Sequence, residues 1–356
     1  MRPLNLALSI LHNRLGSVPR PSWCTYLVTY RCNARCTMCD SWRIKPGDEL
    51  TAPQIEQVFA KIGRLDVVRL TGGEPFLRGD MPEIAEAVLR QSRPGVIHIT
   101  TNGSFPQRVA DLVRGFSRPR LLRFMVSFDG LKSEHDKNRG EDVLFDTAVE
   151  TCRQLGELRR THGVEVSANH TVINPHSMTD NDGLRAALSP LGVEVHSVIA
   201  YADSAMYGAK RRGKKAEDLI LGESYPVHPA LNGADVAGFV ERELERVGEY
   251  GSAMLRWGKR YYLRGLKTRL NGKRPVSPRP PCVALRSHVR LLPDGSVPVC
   301  QFNTERVGNL LHMSFDELWR AETTRASRRW VDACPGCWAE CEVMPSAIYS
   351  GDILRG

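Results

Sequence analysis

The chain holds 356 residues, 42% of them hydrophobic, with 49 basic against 40 acidic side chains and a net charge of +9. That length and apolar content support one large domain and a smaller one with real cores, and neither an internal repeat nor a low-complexity tail interrupts them. The positive balance favours anions, from phosphorylated small molecules and nucleic acid to acidic peptides and lipid headgroups, although a soluble enzyme that happens to be basic is the simpler reading.

In chain order, "LNLALSILHNRLG" (4–16) comes first. It is too short and too interrupted by polar residues to span a membrane, and no A-x-A-like cleavage site follows it. Leu4, Leu8, Leu11 and Leu15 recur at helical spacing, which predicts an amphipathic N-terminal helix (1–19) packed on the body. Without a secretory signal the chain is expected in the cytoplasm, where its ten cysteines stay reduced and clustered thiols bind metal or do chemistry.

Six β-rich runs then alternate with helical patterns: "CTYLVTY" (24–30), "DVVRL" (66–70), "VIHIT" (96–100), "LRFMVSF" (122–128), "VEVSANHTVI" (164–173) and "VEVHSVIAY" (193–201). Between them, "TAPQIEQVFAKI" is a helix capped by Thr51 with Pro53 in its first turn, another helix starts at Asp80, and "FDTAVETCRQLGELRRTH" is a third. Strict alternation predicts a parallel α/β sheet, open or curled into a partial barrel, over residues 20–205. Functional loops gather at the carboxyl ends of such strands.

A basic, helical bridging segment (206–280) follows, with "KRRGKK" (210–215) and a long helix-like stretch over 235–270. From Arg256 to Arg274 it carries eight basic residues and no acidic one, interleaved with Trp257, Tyr261 and Tyr262. A solvated helix face is the ordinary reading; an anionic partner, such as a phosphorylated substrate or a membrane surface touched peripherally, is the alternative. No nucleic-acid-binding motif is present. "KRPVSPRPPC" (273–282) reads as a linker into a cysteine-rich unit (281–356), where "HVRLLPDGSVPVC" suggests a hairpin turning at Asp294-Gly295.

Two cysteine groups carry the chemistry. The loop "YRCNARCTMCDSW" (30–42) places Cys32, Cys36 and Cys39 at C-x₃-C-x₂-C spacing directly after the first strand. A cubane [4Fe–4S] cluster is normally held by four thiolates, so three leave one iron open to an exogenous ligand. Taken alone, the spacing also fits a zinc site.

With "LTGGEPFLRG" (70–79) after the second strand, this loop resembles the radical S-adenosylmethionine (SAM) superfamily. The resemblance implies that Cys32, Cys36 and Cys39 ligate a [4Fe–4S] cluster whose open iron is chelated by SAM. One electron then cleaves SAM to methionine and a 5′-deoxyadenosyl radical, which takes a hydrogen atom from substrate. It further implies that Gly72, Gly73, Glu74 and Pro75 contact the SAM amino group, glycine letting the backbone approach a ligand closely. "TTNGS" (100–104), "VSFDG" (126–130) and "EHDKNRG" (134–140) extend the match to the subgroup with an extra iron–sulfur domain. They make Ser127, Asp129 and Arg139 candidate contacts to the SAM ribose or carboxylate. Met38 stands where members often carry an aromatic residue, and its thioether suits packing against adenine.

Cys282, Cys300, Cys334, Cys337 and Cys341 form the second group. With "GNL" (308–310) and "SFDELW" (314–319), it resembles that subgroup's SPASM domain or its shorter "twitch" form. Five cysteines suffice for one four-thiolate auxiliary [4Fe–4S] cluster. The twitch pattern implies Cys282, Cys300, Cys334 and Cys337, with Cys341 a substitute or free; a Cys₄ zinc knuckle also fits the spacing.

The remaining singled-out residues have bland readings. Cys24 and Cys152 are expected in the core. His170, His196, Tyr201 and Asp203 lie on or after strands five and six, near the reaction chamber, with ordinary packing as the default. The whole reads as a partial (β/α)₆ barrel with a C-terminal iron–sulfur domain: an oxidoreductase-type radical SAM enzyme served by a reductant such as flavodoxin or ferredoxin. Its substrate, unnamed by the sequence and anionic if the charge is a guide, is expected to be a small molecule, sugar or lipid-linked compound rather than a peptide, because about twenty residues before the first strand leave no room for a peptide-recognition domain. A metal-binding or electron-transfer protein without SAM chemistry is the contrasting reading.

Overall fold

The computed structural model describes residues 3–15, 20–45, 47–202, 227–271 and 279–355. Asp203, "KRRGKK" and most of the 273–282 linker lie outside them. The first six strands, β1 (Trp23–Thr29), β2 (Val67–Gly72), β3 (Val96–Thr101), β4 (Leu122–Phe128), β5 (Glu165–Val172) and β6 (Glu194–Ile199), fall where the sequence places them. Each pairs in parallel with the next, giving the order β6-β5-β4-β3-β2-β1 of a curled partial barrel.

Helix α1 (Pro3–Arg14) precedes the sheet, and α2 (Ala52–Ile62), α3 (Met81–Ser92), α4 (Pro106–Gly115), α5 (Lys132–Arg139), α6 (Leu144–His162), α7 (Pro175–Thr179) and α8 (Asn181–Leu188) form the crossovers. The Gln54 side chain accepts from Thr51 N at 2.9 Å at the start of α2, so the cap works as the sequence implies. Alternation along the strands sorts the two faces. Cys24, Tyr26, Val68, Leu70, Ile97 and Ile99 are fully buried under the helices with Cys152. The opposite face, with Arg69, His98, Thr100, Met125, Ser127, Ser167 and Asn169, stays half-buried and lines a chamber.

Four features depart from the sequence reading. First, the C-terminal unit adds a seventh strand to the sheet: β7 (His288–Leu291) pairs in parallel with β1. The expected hairpin therefore splits. The chain does turn at Asp294-Gly295, but β8 (Ser296–Pro298) pairs antiparallel with β9 (Arg306–Asn309) instead of β7. The exposed edge of β1 offers backbone groups that β7 satisfies, which outweighs the local turn.

Second, the leucine stripe of α1 faces outward: Leu8, Leu11 and Leu15 are 46%, 52% and 73% exposed. The helix is anchored on its polar side instead, where Asn13 Nδ2 donates to Ser287 Oγ at 2.7 Å and to the Tyr349 carbonyl at 2.9 Å.

Third, the 235–270 stretch is two helices, α9 (Gly233–Glu245) and α10 (Ala253–Leu270), packed on each other. The basic run on α10 is only partly a solvated face. Lys259 is buried and paired to Glu340 at 2.7 Å. Arg269 is buried over the Trp338 ring at 3.6 Å. Beyond it lie α11 (Phe315–Arg320), α12 (Glu322–Ala333) and α13 (Glu340–Ser350).

Fourth, of the two strand histidines placed near the chamber, His170 points to the helix side, where it is fully buried against Asn181 of α8. His196 points inward and stacks on Tyr250 with ring centroids 5.0 Å apart. The odd–even alternation of β5 decides this: Asn169 and Thr171 take the chamber side.

Candidate functional site

The carboxyl ends of β1 to β4 bring the first cysteine loop and the "GGEP" segment together. The loop is held from two sides. Arg35 N donates to the Arg139 carbonyl and Thr37 N to the Asn138 carbonyl, at 2.7 and 2.8 Å, tying it to the end of α5. Asn33 donates to Ser104 Oγ and accepts from Asn102 Nδ2, at 2.8 and 2.9 Å, tying it to the loop after β3. Cys39 Sγ accepts from Ser41 N at 3.5 Å, an N–H···S contact of the kind that orients and tunes a thiolate ligand.

Burial and the field of Cys36 push the Cys32 and Cys39 thiols up to about 12; burial raises Cys36 as well. Cys32 and Cys39 both feel Cys36, and metal loading must remove the protons of all three. Among the described residues no three His, Cys, Asp or Glu side chains converge as around a single ion. A cubane bonds each thiolate at a different iron. Three half-buried cysteines on one short loop, with an N–H donor to Cys39, fit such a cluster.

The glycines of "GGEP" serve the backbone first. A Cβ on Gly73 would stand 2.1 Å from the Arg31 carbonyl oxygen, and one on Gly72, at φ +145°, 2.3 Å from that of Thr29. The segment is thus pressed against the end of β1, with Gly73 N donating to the Thr29 carbonyl and Glu74 N to the Arg31 carbonyl, both at 2.8 Å. Glu74 is fully buried. Its carboxylate accepts from Phe76 N at 3.0 Å, Thr101 Oγ1 at 2.8 Å and Asn102 N at 2.7 Å. Burial pushes it up to about 7 against those three donors. It joins the loops after β2 and β3, and Pro75 begins the short helical turn that follows.

Asp129 and Arg139 form a buried bidentate pair at 2.7 and 2.8 Å. Both carboxylate oxygens are engaged, so the pair's visible work is to clamp β4 to α5, whose last carbonyls carry the cysteine loop. Ser127 and Met38 remain half-buried near this rim.

The second group gathers in the C-terminal unit. Cys282 senses Cys334, Cys300 senses Cys282, and Cys337 senses both Cys300 and Cys282; burial raises all of them, Cys282 to about 12. Cys300 Sγ accepts from Asn303 N at 3.2 Å and Cys334 Sγ from Gly336 N at 3.4 Å. The Cys341 thiol donates to Gln301 Oε1, and Arg290, Glu342 and Arg69 act on it.

Between the two groups runs a buried polar network that sequence reasoning missed. Glu342 accepts from Arg290 Nε at 2.7 Å and from Gln301 N at 3.0 Å, and pairs with His288 Nδ1 at 3.3 Å. His288 Nε2 meets Thr25 Oγ1 of β1 at 3.0 Å, and Gln301 Nε2 donates to Tyr201 at the end of β6. The signal available was the alternation "H-V-R" in β7, which aims two basic residues to one face once the strand joins the sheet. A separate cleft of about 690 Å³, bounded by Asp66, Arg90, Arg93 and Ser117, opens at the opposite, amino-terminal end of the strands and takes no part in this site.

A parallel α/β sheet with a three-cysteine loop at the carboxyl end of its first strand and a second cysteine group beyond an added edge strand has the layout of an iron–sulfur protein. The radical SAM superfamily model matches residues 26–184, and the model of the SPASM iron–sulfur cluster-binding domain matches 282–341, so the chain carries a radical SAM domain and a SPASM domain. Members carry SAM and a [4Fe–4S] cluster, and the SPASM domain implies auxiliary iron–sulfur binding. Over 189 residues the chain is 31% identical to the GTP 3′,8-cyclase of Aquifex aeolicus, covering 49% of this chain and 55% of that one. It is 27% identical over 212 residues to the Fe-coproporphyrin III synthase of Methanosarcina barkeri, covering 56% and 51%. It thus spans about half the length of these curated relatives. In fold it is similar to Streptococcus suis SuiB bound to S-adenosylmethionine, with a TM-score of 0.61 at 12% identity over 90% of this chain and 70% of that one. It is also similar to anSMEcpe with bound AdoMet and a peptide, with a TM-score of 0.56 at 19% identity over 86% and 82%.

Proposed function

We propose that the protein cleaves SAM reductively and takes a hydrogen atom from an unactivated C–H of its substrate, with the C-terminal cluster assisting the redox balance as in an oxidoreductase. The observation that carries this reading is the three-cysteine loop braced by α5 and pressed beside "GGEP". Cys32, Cys36 and Cys39 would hold the first cluster, and Cys282, Cys300, Cys334 and Cys337 the auxiliary one, with Cys341 outside it.

SAM held there beside Gly72 and Gly73 would supply a 5′-deoxyadenosyl radical. The chain's own tasks are to orient it and to keep water from the chamber. Gly72, Gly73, Ser127 and Met38 offer backbone and side-chain surface at the rim, with buried Glu74 and Pro75 holding that segment in place. Asp129 and Arg139, spent on each other, act as positioning residues for the cysteine loop. The reading includes the division into segments 1–19, 20–205, 206–280 and 281–356, a cytoplasmic setting with a flavodoxin- or ferredoxin-type reductant, and a small-molecule substrate. In the described residues no helix is long and apolar enough to cross a membrane. Small substrates are favoured because the cyclase and synthase relatives are named for nucleotide and porphyrin chemistry. Peptide modification is the second reading, favoured by the fold shared with proteins solved on their peptides.

Anaerobic reconstitution with iron and sulfide, then SAM and dithionite, tests the proposal. 5′-Deoxyadenosine should form in the wild type and vanish in Cys36→Ala. A colourless protein with stoichiometric zinc in both cysteine groups would instead indicate a metal-binding protein without this chemistry.

A further inference from the structure

Helix α1 is mounted with its polar side inward. Ser9 Oγ meets Ser22 Oγ at 3.1 Å just before β1, and Asn13 Nδ2 reaches Ser287 Oγ just before β7. Gly351, at the end of α13, leaves room for Ile10 and Arg14, since a Cβ there would stand 3.1 Å from both. Arg14 Nε donates to the neighbouring Ser350 carbonyl at 3.2 Å. The helix therefore lies at the amino-terminal end of the sheet, away from the cysteine loop at the carboxyl ends.

The outward stripe of Leu8, Leu11 and Leu15 has company. Leu354, in the short turn after α13, is exposed, and so are Met254 and Trp257 on α10. Tyr261 Oη of α10 donates to Asp352 Oδ2 at 2.6 Å, so α1 and α10 both border the segment Gly351–Leu354. Six of the eight large apolar side chains left exposed among the described residues thus lie on neighbouring elements; the other two are Leu131 and Val143. Single exposed leucines need no cause, but a cluster of them marks a surface that binds something.

Charge decides what it binds. No acidic residue precedes Asp40 in the sequence, whereas Arg2, Arg14 and Arg20 all come before β1. Arg20 is paired with Asp316, and Arg14 is held only by a neutral carbonyl. On α10, Arg260 and Arg264 follow Trp257 at helical spacing and are exposed with it. The acidic member of the segment between, Asp352, accepts from the Tyr261 hydroxyl. Shallow apolar side chains bordered by cations match an anionic lipid surface, which combines an apolar with an electrostatic attraction. A second copy of the chain fits less well, because a two-fold interface sets the patch against itself and these cations would meet cations.

We propose that α1, with Leu354 and the Trp257 side of α10, docks the protein on an anionic membrane surface. The leucines enter the headgroup layer and the arginines pair with lipid phosphates. A helix lying in that layer sinks only about 5–10 Å, in keeping with the lack, among the described residues, of a helix able to cross. Docking through the amino-terminal end of the sheet leaves the cysteine loop at the other end. It does not depend on the radical SAM reading.

Co-sedimentation of the full wild-type chain with vesicles of phosphatidylcholine, alone or mixed with phosphatidylglycerol, tests this. The bound fraction is expected to rise several-fold with phosphatidylglycerol, to fall as salt is added, and to return to the phosphatidylcholine level in Leu8→Ser/Leu11→Ser. Hydrogen exchange on the wild type needs no variant: the amides of α1 should slow several-fold on the mixed vesicles while those of α4 stay constant. Equal sedimentation with both vesicles, or α1 exchange that the mixed vesicles leave unchanged, would overturn the proposal. A dimer that forms without lipid and is abolished by the same double variant would assign the face to a second copy and overturn it as well.

Discussion

Gly73 shows how a motif glycine is fixed by its neighbours. The 2.1 Å that would separate its Cβ from the Arg31 oxygen leaves no way to add a methyl group without pushing the backbone that enters the cysteine loop. Gly73→Ala should therefore lose most of the iron at the first cluster, measured by iron analysis, while Gly115→Ala, where nothing lies within 4 Å, should load normally. The C-terminal cysteines give a second residue-scale outcome. Cys334→Ala is expected to drop iron by about half, one cluster of two, whereas Cys341→Ala retains it; equal losses would place Cys341 among the ligands. At this scale the sequence was legible where spacing is local, as in C-x₃-C-x₂-C. It was silent on Glu342 and Gln301, whose partners lie on strands and loops far away in the chain.

Among the elements, α10 carries more of the architecture than its charge suggested. Gly265 leaves the space that the Trp338 ring fills, a Cβ there falling 1.8 Å from it. Trp338 Nε1 donates to the Tyr262 carbonyl at 3.0 Å, and Arg269 covers the ring. This contact fastens the Cys334–Cys341 segment to the bridging helices. Trp338→Ala should cost about 3–5 kcal/mol, read as a shift in denaturant midpoint, with hydrogen exchange rising first around Cys334 and Cys337. The six strands could be read from the sequence because β-branched runs alternate with capped helices. The pairing of β7 with β1 could not, because a short strand beside a good turn looks like half a hairpin until the open sheet edge is known. The outward leucines of α1 escaped for the opposite reason: periodicity shows that a stripe exists, and the anchoring bonds of Asn13 decide which side faces the body.

Across the whole molecule, one cysteine group lies on the loop after β1 and the other in the C-terminal unit that adds β7 to the sheet. The added strand β7 and the Glu342 network connect the C-terminal unit to the barrel wall. Everything turns on the first site offering one iron without a thiolate. The most direct measurement is electron–nuclear double resonance on the reduced, reconstituted protein with SAM labelled by ¹⁵N at its amino group. The account predicts a ¹⁵N coupling to the cluster that is absent without SAM and lost in Cys36→Ala; a fully loaded, reduced cluster that shows no such coupling would contradict it.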